Sequence, residues 1–200
     1  GIRDALDILI KKGRLDPGED LKVIVLTGDG VAYDIGLAST SGAIHRHLDF
    51  YYICSDNEAY GNTGFQSSGA TPFASKTGTT PIGKISPTGT ILAKKDLFEI
   101  WRSHIPPYLA TISPGHPVDL INKFKKAEQY KGPKLFINLS PCPPGWTADP
   151  AHSARLAKLA VDTGIWALKE SLYGDVRHTV FPKKCKPGEE YLKEQGRFAH

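Results

Sequence analysis

Short apolar runs alternate with segments of helical periodicity from about residue 21 to residue 171, and this alternation constrains the fold more than any other feature. The apolar runs of strand length are 22–27, 49–54, 108–113 and 134–139. Most of them are apolar on both faces, which is typical of strands covered by helices on each side. Strands that alternate with helices form β-α-β units and a mainly parallel sheet. We therefore predict an α/β fold whose mainly parallel sheet is flanked by helices on both faces.

The spacing of apolar residues predicts four helices. The first spans about 33–45, and the fourth spans 150–172, with Asp149 as its N-cap and Gly174 as its end. The apolar residues that define the other helical faces are Leu97, Ile100, Trp101 and His104 in the second helix, Leu120, Ile121, Phe124 and Ala127 in the third, and Ala157, Val161, Ile165 and Leu168 in the fourth.

The composition of the 200 residues, 40% hydrophobic and 23% charged, is that of an ordinary globular protein, and the length fits one domain over 1–200. The net charge of +4 is modest and no basic stripe is interleaved with aromatic residues, which disfavours nucleic-acid binding. No apolar stretch approaches the ~20 residues that cross a bilayer, so we expect no membrane insertion. Three cysteines without a CxxC pair argue against a disulfide framework and favour a reducing, cytoplasmic location.

Two stretches interrupt the alternation. Residues 55–90 are rich in Gly, Ser, Thr and Pro and are too long for a simple connection, and loops of this kind are usually functional or disordered. The tail, 175–200, is expected to pack on a partner subunit, because it retains the apolar residues Tyr191, Leu192 and Phe198. The chain begins at Gly1 and contains no methionine, from which we expect a missing upstream segment.

The string GDG, residues 28–30, directly follows the first apolar run. It places Asp29 at the carboxyl end of a buried strand, facing the crevice in which open α/β sheets bind ligands. Gly28 and Gly30 let other atoms approach the backbone and supply unusual dihedral angles. A charged ligand is therefore expected at Asp29, although a GDG string by itself is also common in simple turns.

The distance along the chain from Gly30 to Asn57 is informative, because the intervening residues 31–56, 26 in all, equal about one helix and one strand. Asp29 and Asn57 should therefore lie at the carboxyl ends of neighbouring strands. A carboxylate, an amide oxygen and a backbone carbonyl, joined by two phosphate oxygens, form the all-oxygen shell that suits Mg²⁺. An isolated Asn is also a common loop cap, so the residues alone leave both interpretations open.

The GDG string followed after 26 residues by Asn resembles the diphosphate and metal motif of thiamine-diphosphate enzymes. The longer string GDGVAYDIG…DNEAYGNTGFQSSGATP is similar to the β subunit of the 2-oxoacid:ferredoxin oxidoreductases, the pyruvate enzymes in particular. Further similar strings are KTGTTPIGKISPTG, GPKLFINLSPCPPGW and EEYLKEQGRFAH, so the resemblance covers nearly the whole chain. It implies the thiamine-diphosphate-binding fold.

By position, the resemblance implies cofactor contacts from Gly28, Asp29, Gly30, Asn57, Ala59 and Asn62. Asp29 and Asn57 would bind Mg²⁺ through side-chain oxygens, and Ala59 through its carbonyl. Asn62 matches the family residue close to the thiazolium ring and the substrate, so it is implied as a catalytic residue. An Asn there is more typical of enzymes for small 2-oxoacids than of those for 2-oxoglutarate.

Cys142, in the string SPCPPGW, follows the fourth predicted strand. At the equivalent site the family has the last of four thiolates that hold a [4Fe-4S] cluster near the thiamine, and the other three lie upstream of the start of this sequence. The resemblance thus implies Cys142 as a cluster ligand, shared with cysteines upstream of this chain. A lone loop cysteine is otherwise commonly an idle thiol, and we expect Cys54 in the core and Cys185 in the tail.

The resemblance implies oxidative decarboxylation of a small 2-oxoacid, pyruvate or a close relative such as oxalate, with electrons passed through [4Fe-4S] clusters to ferredoxin. In the pyruvate enzyme coenzyme A then accepts the acyl group. The glutamate that activates the thiamine lies on another subunit or domain in this family, so this chain would act only within a hetero-oligomer. Two alternatives stay open: a non-redox thiamine-diphosphate decarboxylase or synthase, and a non-catalytic subunit that retains the fold.

Two strings that resemble nucleotide-binding motifs are rejected. GTTPIGKI, residues 78–85, has Ile85 where a P-loop needs Ser or Thr, and no apolar strand precedes it. GDGVAYDIG lacks the last glycine of the dinucleotide fingerprint. His45 and His47 end the first predicted helix, where a cationic side chain interacts favourably with the helix dipole, and we prefer this interpretation to a catalytic role.

Overall fold

The computed structural model describes residues 1–16, 18, 20–84 and 86–199. The strands are β1 (Ile24–Gly28), β2 (Phe50–Asp56), β3 (Tyr108–Ile112), β4 (Pro133–Leu139), β5 (Leu168–Leu172) and β6 (Asp175–Val180). The α-helices are α1 (Ile2–Lys11), α2 (Leu37–His45), α3 (Leu97–Arg102), α4 (Pro117–Ala127), α5 (Pro143–Trp146), α6 (Ser153–Asp162) and α7 (Gly188–Lys193). A π-helical turn spans Gly30–Ile35, and 3-10 turns span Pro150–His152 and Gly196–Phe198.

The six strands form one sheet in the order β1-β2-β4-β3-β5-β6. The first four of these pair in parallel, whereas β5 is antiparallel to both β3 and β6. The four parallel strands are the four predicted ones, so the mainly parallel α/β class is confirmed. Gly28 of β1 lies opposite Ser55 of β2, and Asp56 of β2 lies opposite Leu139 of β4. The carboxyl ends of these three strands therefore meet at one edge of the sheet.

Helices cover both faces of the central strands, as predicted, but the prediction that the strand before Asp29 is buried is wrong. β1 is the edge strand, and Ile24 and Leu26 on one of its faces are 62% and 73% exposed. The larger core contains side chains of β2 and β4 together with buried residues of α2, α3 and α6. On the other face, Phe124 of α4 stacks on Phe136 of β4 with ring centroids 4.1 Å apart. Cys54 is fully buried in the larger core and Cys185 is exposed, which confirms the expected environment of both thiols.

The fourth predicted helix, 150–172, is wrong in its second half. Gly164 has a φ of +77°, a left-handed conformation that glycine adopts without strain, and it turns the chain out of α6. Ile165 and Leu168 continue the helical spacing of apolar residues, but Ile165 is exposed and Leu168 begins β5. Gly174 accordingly lies in the turn between β5 and β6 instead of ending a helix.

The starts of two predicted helices also differ in detail from the structure. The carboxylate of Asp149 accepts a hydrogen bond from the Ala151 N–H at 2.9 Å, as predicted for a cap, but it caps a 3-10 turn that leads into α6. The first predicted helix consists of the π-helical turn from Gly30 and then α2. Gly36 separates the two, and a Cβ there would lie 2.9 Å from the Val31 carbonyl oxygen. The second and third predicted helices correspond to α3 and α4, whereas α1, α5, α7, β5 and β6 were not predicted.

The long loop predicted over 55–90 is ordered by its own contacts. Its described residues beyond β2 contain no helix or strand except one bridge between Tyr60 and Gln66. The Thr90 hydroxyl donates to the Ser75 carbonyl at 3.0 Å, one of several hydroxyl contacts that hold the loop. Residues 78–84 form no strand or helix, and Ile85, used above to reject a P-loop, lies outside the described residues.

The tail packs on this chain over much of its described length. β6 joins the sheet, and Tyr191 of α7 is buried against Trp146 with ring centroids 6.3 Å apart. The packing of 175–200 on a partner stays a prediction, as does the single domain over 1–200, and His200 lies outside the described residues. No helix in the described part of the chain has the length and apolar character needed to cross a membrane.

Candidate cofactor site

Asp29 and Asn57 follow directly after β1 and β2, two strands that pair in parallel. The structure therefore places these residues next to adjacent strand ends, in agreement with their spacing in the sequence. Asp29 is only 1% exposed, and Ala59, two residues beyond Asn57, is also buried. Carboxylate, amide and main-chain oxygens are thus available in one region, as an oxygen-ligated cation requires. The roles of the individual residues toward a metal stay predictions.

The carboxylate of Asp29 is buried without a cation. The Ser68 hydroxyl donates a hydrogen bond to Asp29 Oδ2 at 2.5 Å. Burial and the nearby Asp56 carboxylate raise the pKa of Asp29 to about 7, although Ser68 and the Lys94 charge act in the opposite direction. Within the described residues Asp29 forms no ion pair. A bound cation would stabilise the ionised form of the buried Asp29 carboxylate.

A cluster of four charges lies beside Asp29, of which Asp56, Glu58 and Arg197 are buried and Lys94 is partly buried. Lys94 Nζ is 2.8 Å from Asp56 Oδ2 and 3.0 Å from Glu58 Oε1, and Arg197 donates to Glu58 Oε2 at 2.5 Å. Burial raises the pKa of Asp56 despite Lys94, whereas Lys94 and Arg197 hold the pKa of Glu58 below its usual value despite burial. Three buried carboxylates, with Asp29 included, therefore face two cations. With all three carboxylates ionised, the region would carry one excess negative charge, which agrees with the raised pKa of Asp29 and of Asp56.

The turn formed by residues 57–59 is held from several directions. The Glu58 N–H donates to Asp56 Oδ1 at 3.0 Å, and the Ala59 N–H donates to Asn57 Oδ1 at 3.1 Å. The indole N–H of Trp146 donates to the Asn57 carbonyl at 2.9 Å. Glu58 has a φ of +68°, which is unfavourable for a residue with a Cβ. Surrounding contacts must therefore stabilise this backbone conformation.

Different surroundings account for the two glycines of the GDG string. A Cβ on Gly30 would lie 2.2 Å from Cε1 of Tyr60, whose hydroxyl donates to the Gly30 carbonyl and to Asp34, each at 3.2 Å. A Cβ on Gly28 would meet no atom within 4 Å. Packing against Tyr60 thus accounts for Gly30, whereas the open space at Gly28 is available to a ligand.

Asn62 lies exposed in a short loop that is closed by main-chain hydrogen bonds between Tyr60 and Gln66, at 2.9 and 3.2 Å. Cys142 is partly buried just beyond β4, and its carbonyl accepts a hydrogen bond from the Trp146 N–H at 2.8 Å. Trp146 therefore contacts both Cys142 and Asn57. No hydrogen bond between described residues joins Asn62 to Asp29, so the structure does not bring these two predicted site residues into contact.

The donors present fit Mg²⁺ but not a complete iron–sulfur cluster. A [4Fe-4S] cluster needs four thiolates, and of the three cysteines here Cys54 is buried in the core and Cys185 lies in the tail. The described residues contain no group of three or more His, Cys, Asp or Glu side chains that could hold a metal. Cys142 could thus provide at most one ligand, with three supplied from elsewhere.

Sequence reasoning missed the residues that surround the predicted ligands: Tyr33, Asp56, Glu58, Tyr60, Ser68, Lys94, Trp146 and Arg197. The acidic string at 56–58 and the basic pair at 94–95 are visible as charges in the sequence. Their pairing is not, because the ion pairs join residues that are 36, 38 and 139 positions apart. Only the fold brings them together.

Comparison with known families defines the class of protein. Residues 10–137 match the family described as thiamine pyrophosphate enzyme, C-terminal TPP-binding domain. A solved 2-oxoglutarate:ferredoxin oxidoreductase from Magnetococcus marinus has a similar fold, with a TM-score of 0.56, 22% identity, and coverage of 70% of this chain and 44% of that chain. The chain belongs to the thiamine-pyrophosphate enzymes, and its thiamine-diphosphate-binding fold is confirmed.

Curated relatives narrow this assignment. The chain is 44% identical to pyruvate synthase subunit PorB of Methanosarcina barkeri, over all of this chain and 65% of the relative. It is 43% identical to PorB of Methanocaldococcus jannaschii, over all of this chain and 67% of the relative. It is 44% identical to ketoisovalerate oxidoreductase subunit VorB of Pyrococcus horikoshii, over 92% of this chain and 60% of the relative. Within the thiamine-pyrophosphate enzymes it belongs with the β subunits of 2-oxoacid:ferredoxin oxidoreductases. The chain spans about 60 to 67% of the length of these relatives.

Proposed function

We propose that this chain is the thiamine-diphosphate-binding part of a 2-oxoacid:ferredoxin oxidoreductase that decarboxylates a small 2-oxoacid oxidatively. The proposal is supported by membership of the thiamine-pyrophosphate enzymes and by the similarity to PorB and VorB subunits. The observation that carries it is the buried Asp29 carboxylate at the end of β1, which forms no ion pair with any described residue. Mg²⁺ bound to a diphosphate is the ligand that fits this charge and this position.

Mg²⁺ would be held by the Asp29 carboxylate, the Asn57 amide oxygen and the Ala59 carbonyl. The Asn57 amide oxygen already accepts one hydrogen bond from the Ala59 N–H and has a second lone pair for a metal. Gly28 leaves open space beside Asp29 for the diphosphate, and Gly30 lets Tyr60 pack against the chain. The ion would offset the excess negative charge of the three buried carboxylates.

When bound, thiamine diphosphate supplies the carbanion chemistry of decarboxylation. This chain's part in the reaction is to bind the diphosphate through Mg²⁺ and to orient the coenzyme. Asn62, which is exposed on its loop, would donate or accept a hydrogen bond at the substrate end of the site. Cys142 would contribute one thiolate to a [4Fe-4S] cluster whose other ligands lie outside this chain. Electrons would leave through that cluster to ferredoxin.

The partners follow from the same proposal. The active complex is a hetero-oligomer in the cytoplasm, and its other subunits complete the site. The substrate is pyruvate or a close relative, and identity does not separate the candidates, because PorB and VorB relatives are both 44% identical to this chain. Coenzyme A is the acyl acceptor if the substrate is pyruvate.

The metal assignment is tested by the variant Asp29→Asn in the assembled complex. Calorimetry with Mg²⁺ and thiamine diphosphate should show coenzyme affinity reduced at least ~100-fold, because the variant removes a charged ligand of the ion. The matched control is Asp175→Asn on β6, where the carboxylate is exposed and pairs only with Arg177 among the described residues. Unchanged affinity in Asp29→Asn would reject the proposed metal site.

The redox assignment is tested separately by iron analysis and by reduction of a viologen dye. With coenzyme A supplied as the acyl acceptor, the complex should contain iron and reduce the dye only when thiamine diphosphate and a 2-oxoacid are present. Comparison of pyruvate, 2-oxoisovalerate, oxalate and 2-oxoglutarate identifies the substrate. A complex that is fully active without iron would instead be a non-redox thiamine-diphosphate enzyme.

A further inference from the structure

Arg197, near the end of the described chain, reaches into the candidate cofactor site. Its side chain is 1% exposed, and its guanidinium donates to Glu58 Oε2 at 2.5 Å. The guanidinium carbon also lies 4.1 Å from the ring centroid of Trp146. Arg197 thus contacts the middle residue of the 57–59 turn directly and stacks on the residue whose indole holds the Asn57 carbonyl.

The turn depends on such contacts because it is not stable by itself. Glu58 has a left-handed φ of +68°, and its side chain is 7% exposed. Lys94 cannot neutralise Glu58 alone, since the same ammonium also binds Asp56. Without Arg197, two buried carboxylates would share one cation, and the turn would lose the contact that fixes the Glu58 side chain.

We infer that Arg197 is a positioning residue for metal binding. By holding Glu58, it keeps the 57–59 turn in the conformation that presents the Asn57 amide and the Ala59 carbonyl to Mg²⁺. The inference rests on the proposed function, because it assumes that these two oxygens bind the ion. Arg197 itself does not contact the metal.

The main chain of the tail is attached independently of the Arg197 side chain. The Arg197 carbonyl accepts a hydrogen bond from the Lys76 N–H at 2.9 Å, and the Gly196 N–H donates to the Thr147 carbonyl at 3.1 Å. Tyr191 is buried one helix earlier. Substitution of the side chain should therefore leave the tail in place, and the variants Arg197→Gln and Arg197→Lys are suitable probes.

The experiment is an Mg²⁺ titration of the assembled complex at saturating thiamine diphosphate, read by calorimetry and by 2-oxoacid turnover. Arg197→Gln should raise the Mg²⁺ concentration for half-saturation ~10-fold, as loss of a supporting contact typically does. Turnover at saturating Mg²⁺ should stay within ~2-fold of the unmodified complex, because the ion restores the turn. Arg197→Lys, which keeps the charge but loses the guanidinium geometry, should have an intermediate effect.

A double-mutant cycle with Glu58→Gln tests whether Arg197 acts through Glu58. The effects of the two single substitutions on Mg²⁺ half-saturation should not add in the double variant. Arg155→Gln is the matched control, since Arg155 is exposed and pairs with Glu194 of the tail. Its Mg²⁺ half-saturation should be unchanged.

The outcomes separate this inference from the proposed function. If Arg197→Gln and Arg197→Lys lower the thermal stability but leave the Mg²⁺ half-saturation unchanged, Arg197 is structural only and the inference is rejected. If the complex that carries Arg197→Gln does not assemble, the Mg²⁺ half-saturation of the Arg197→Lys complex decides instead, and an unchanged value rejects the inference. If Asp29→Asn retains coenzyme binding, the proposed metal site fails, whatever the Arg197 variants do.

Discussion

The hydroxyl of Ser68 donates a 2.5 Å hydrogen bond to the buried carboxylate of Asp29, 39 residues earlier in the chain. This bond favours the ionised carboxylate and fixes one of its oxygens, so the other is left for a ligand. Ser68→Ala should therefore weaken Mg²⁺ binding by roughly 10- to 100-fold, because a hydrogen bond to a charged group contributes about 1.5–3 kcal/mol. Calorimetry of the assembled complex measures this change. Ser67→Ala is the control, because Ser67 bonds Thr79 through its main-chain N–H. Equal effects of the two variants would contradict the role given to Ser68.

Mg²⁺ affinity should increase with pH up to about 7. The folded pKa of Asp29, about 7, lies above its ordinary value of 3.8, so the ion-free folded state binds more protons than the unfolded state between these values. The ion-free protein should consequently lose stability as the pH rises through this window. Below about pH 7 the ion must displace a proton from Asp29, and its affinity should fall up to ~10-fold per pH unit. Titrations at pH 6 and pH 8 measure the difference, and equal affinities would contradict it.

The two glycines beside Asp29 should respond differently to alanine. Gly28→Ala should change the free energy of unfolding by less than ~0.5 kcal/mol, since its Cβ meets no atom, but should weaken coenzyme binding by obstructing the diphosphate. Gly30→Ala should lower the free energy of unfolding by about 1–3 kcal/mol, because its Cβ overlaps the Tyr60 ring. Unfolding and coenzyme titrations of both variants test this contrast. Normal coenzyme affinity in Gly28→Ala would place the diphosphate elsewhere.

Cys142→Ser should remove iron from the complex without removing thiamine diphosphate. The thiol lies beyond β4. Trp146 donates its main-chain N–H to the Cys142 carbonyl and its indole N–H to the Asn57 carbonyl, and the substitution changes neither bond. Dye reduction should be lost together with the iron of one cluster, while coenzyme affinity stays within ~3-fold, as expected where no contact to the coenzyme is changed. Cys185→Ser, in the exposed tail, should alter neither quantity. Full iron content in Cys142→Ser would show that another residue binds the cluster.

The parallel half of the fold could be predicted because its information is local. Buried parallel strands are continuous apolar runs, and each of the four predicted runs overlaps a strand of the structure. The second half of the fourth predicted helix failed, because the apolar spacing of Ile165 and Leu168 fits a helix equally well. The left-handed conformation of Gly164 decides against it, and apolar periodicity does not report that dihedral angle.

The candidate site likewise has one part that the sequence predicts and another part that only the fold determines. Asp29 and Asn57 were placed by counting residues, since one helix and one strand between them require neighbouring strand ends. The contacts that support them could not be predicted, because Lys94 and Arg197 lie in irregular segments far along the chain. The roles of the two glycines were also ambiguous, because one explanation covered both Gly28 and Gly30 in the sequence analysis. In the structure a Cβ on Gly28 would meet open space, whereas a Cβ on Gly30 would overlap Tyr60.

The 139-residue separation of Glu58 and Arg197 has a consequence for biogenesis. Ribosomes add about 5–20 residues per second, so the acidic member of the pair leaves the tunnel on the order of ten seconds before its guanidinium partner. A nascent chain that meets its vitamin-derived coenzyme during that interval lacks the Arg197 contact that holds the 57–59 turn. Loading should accordingly follow translation of residue 197.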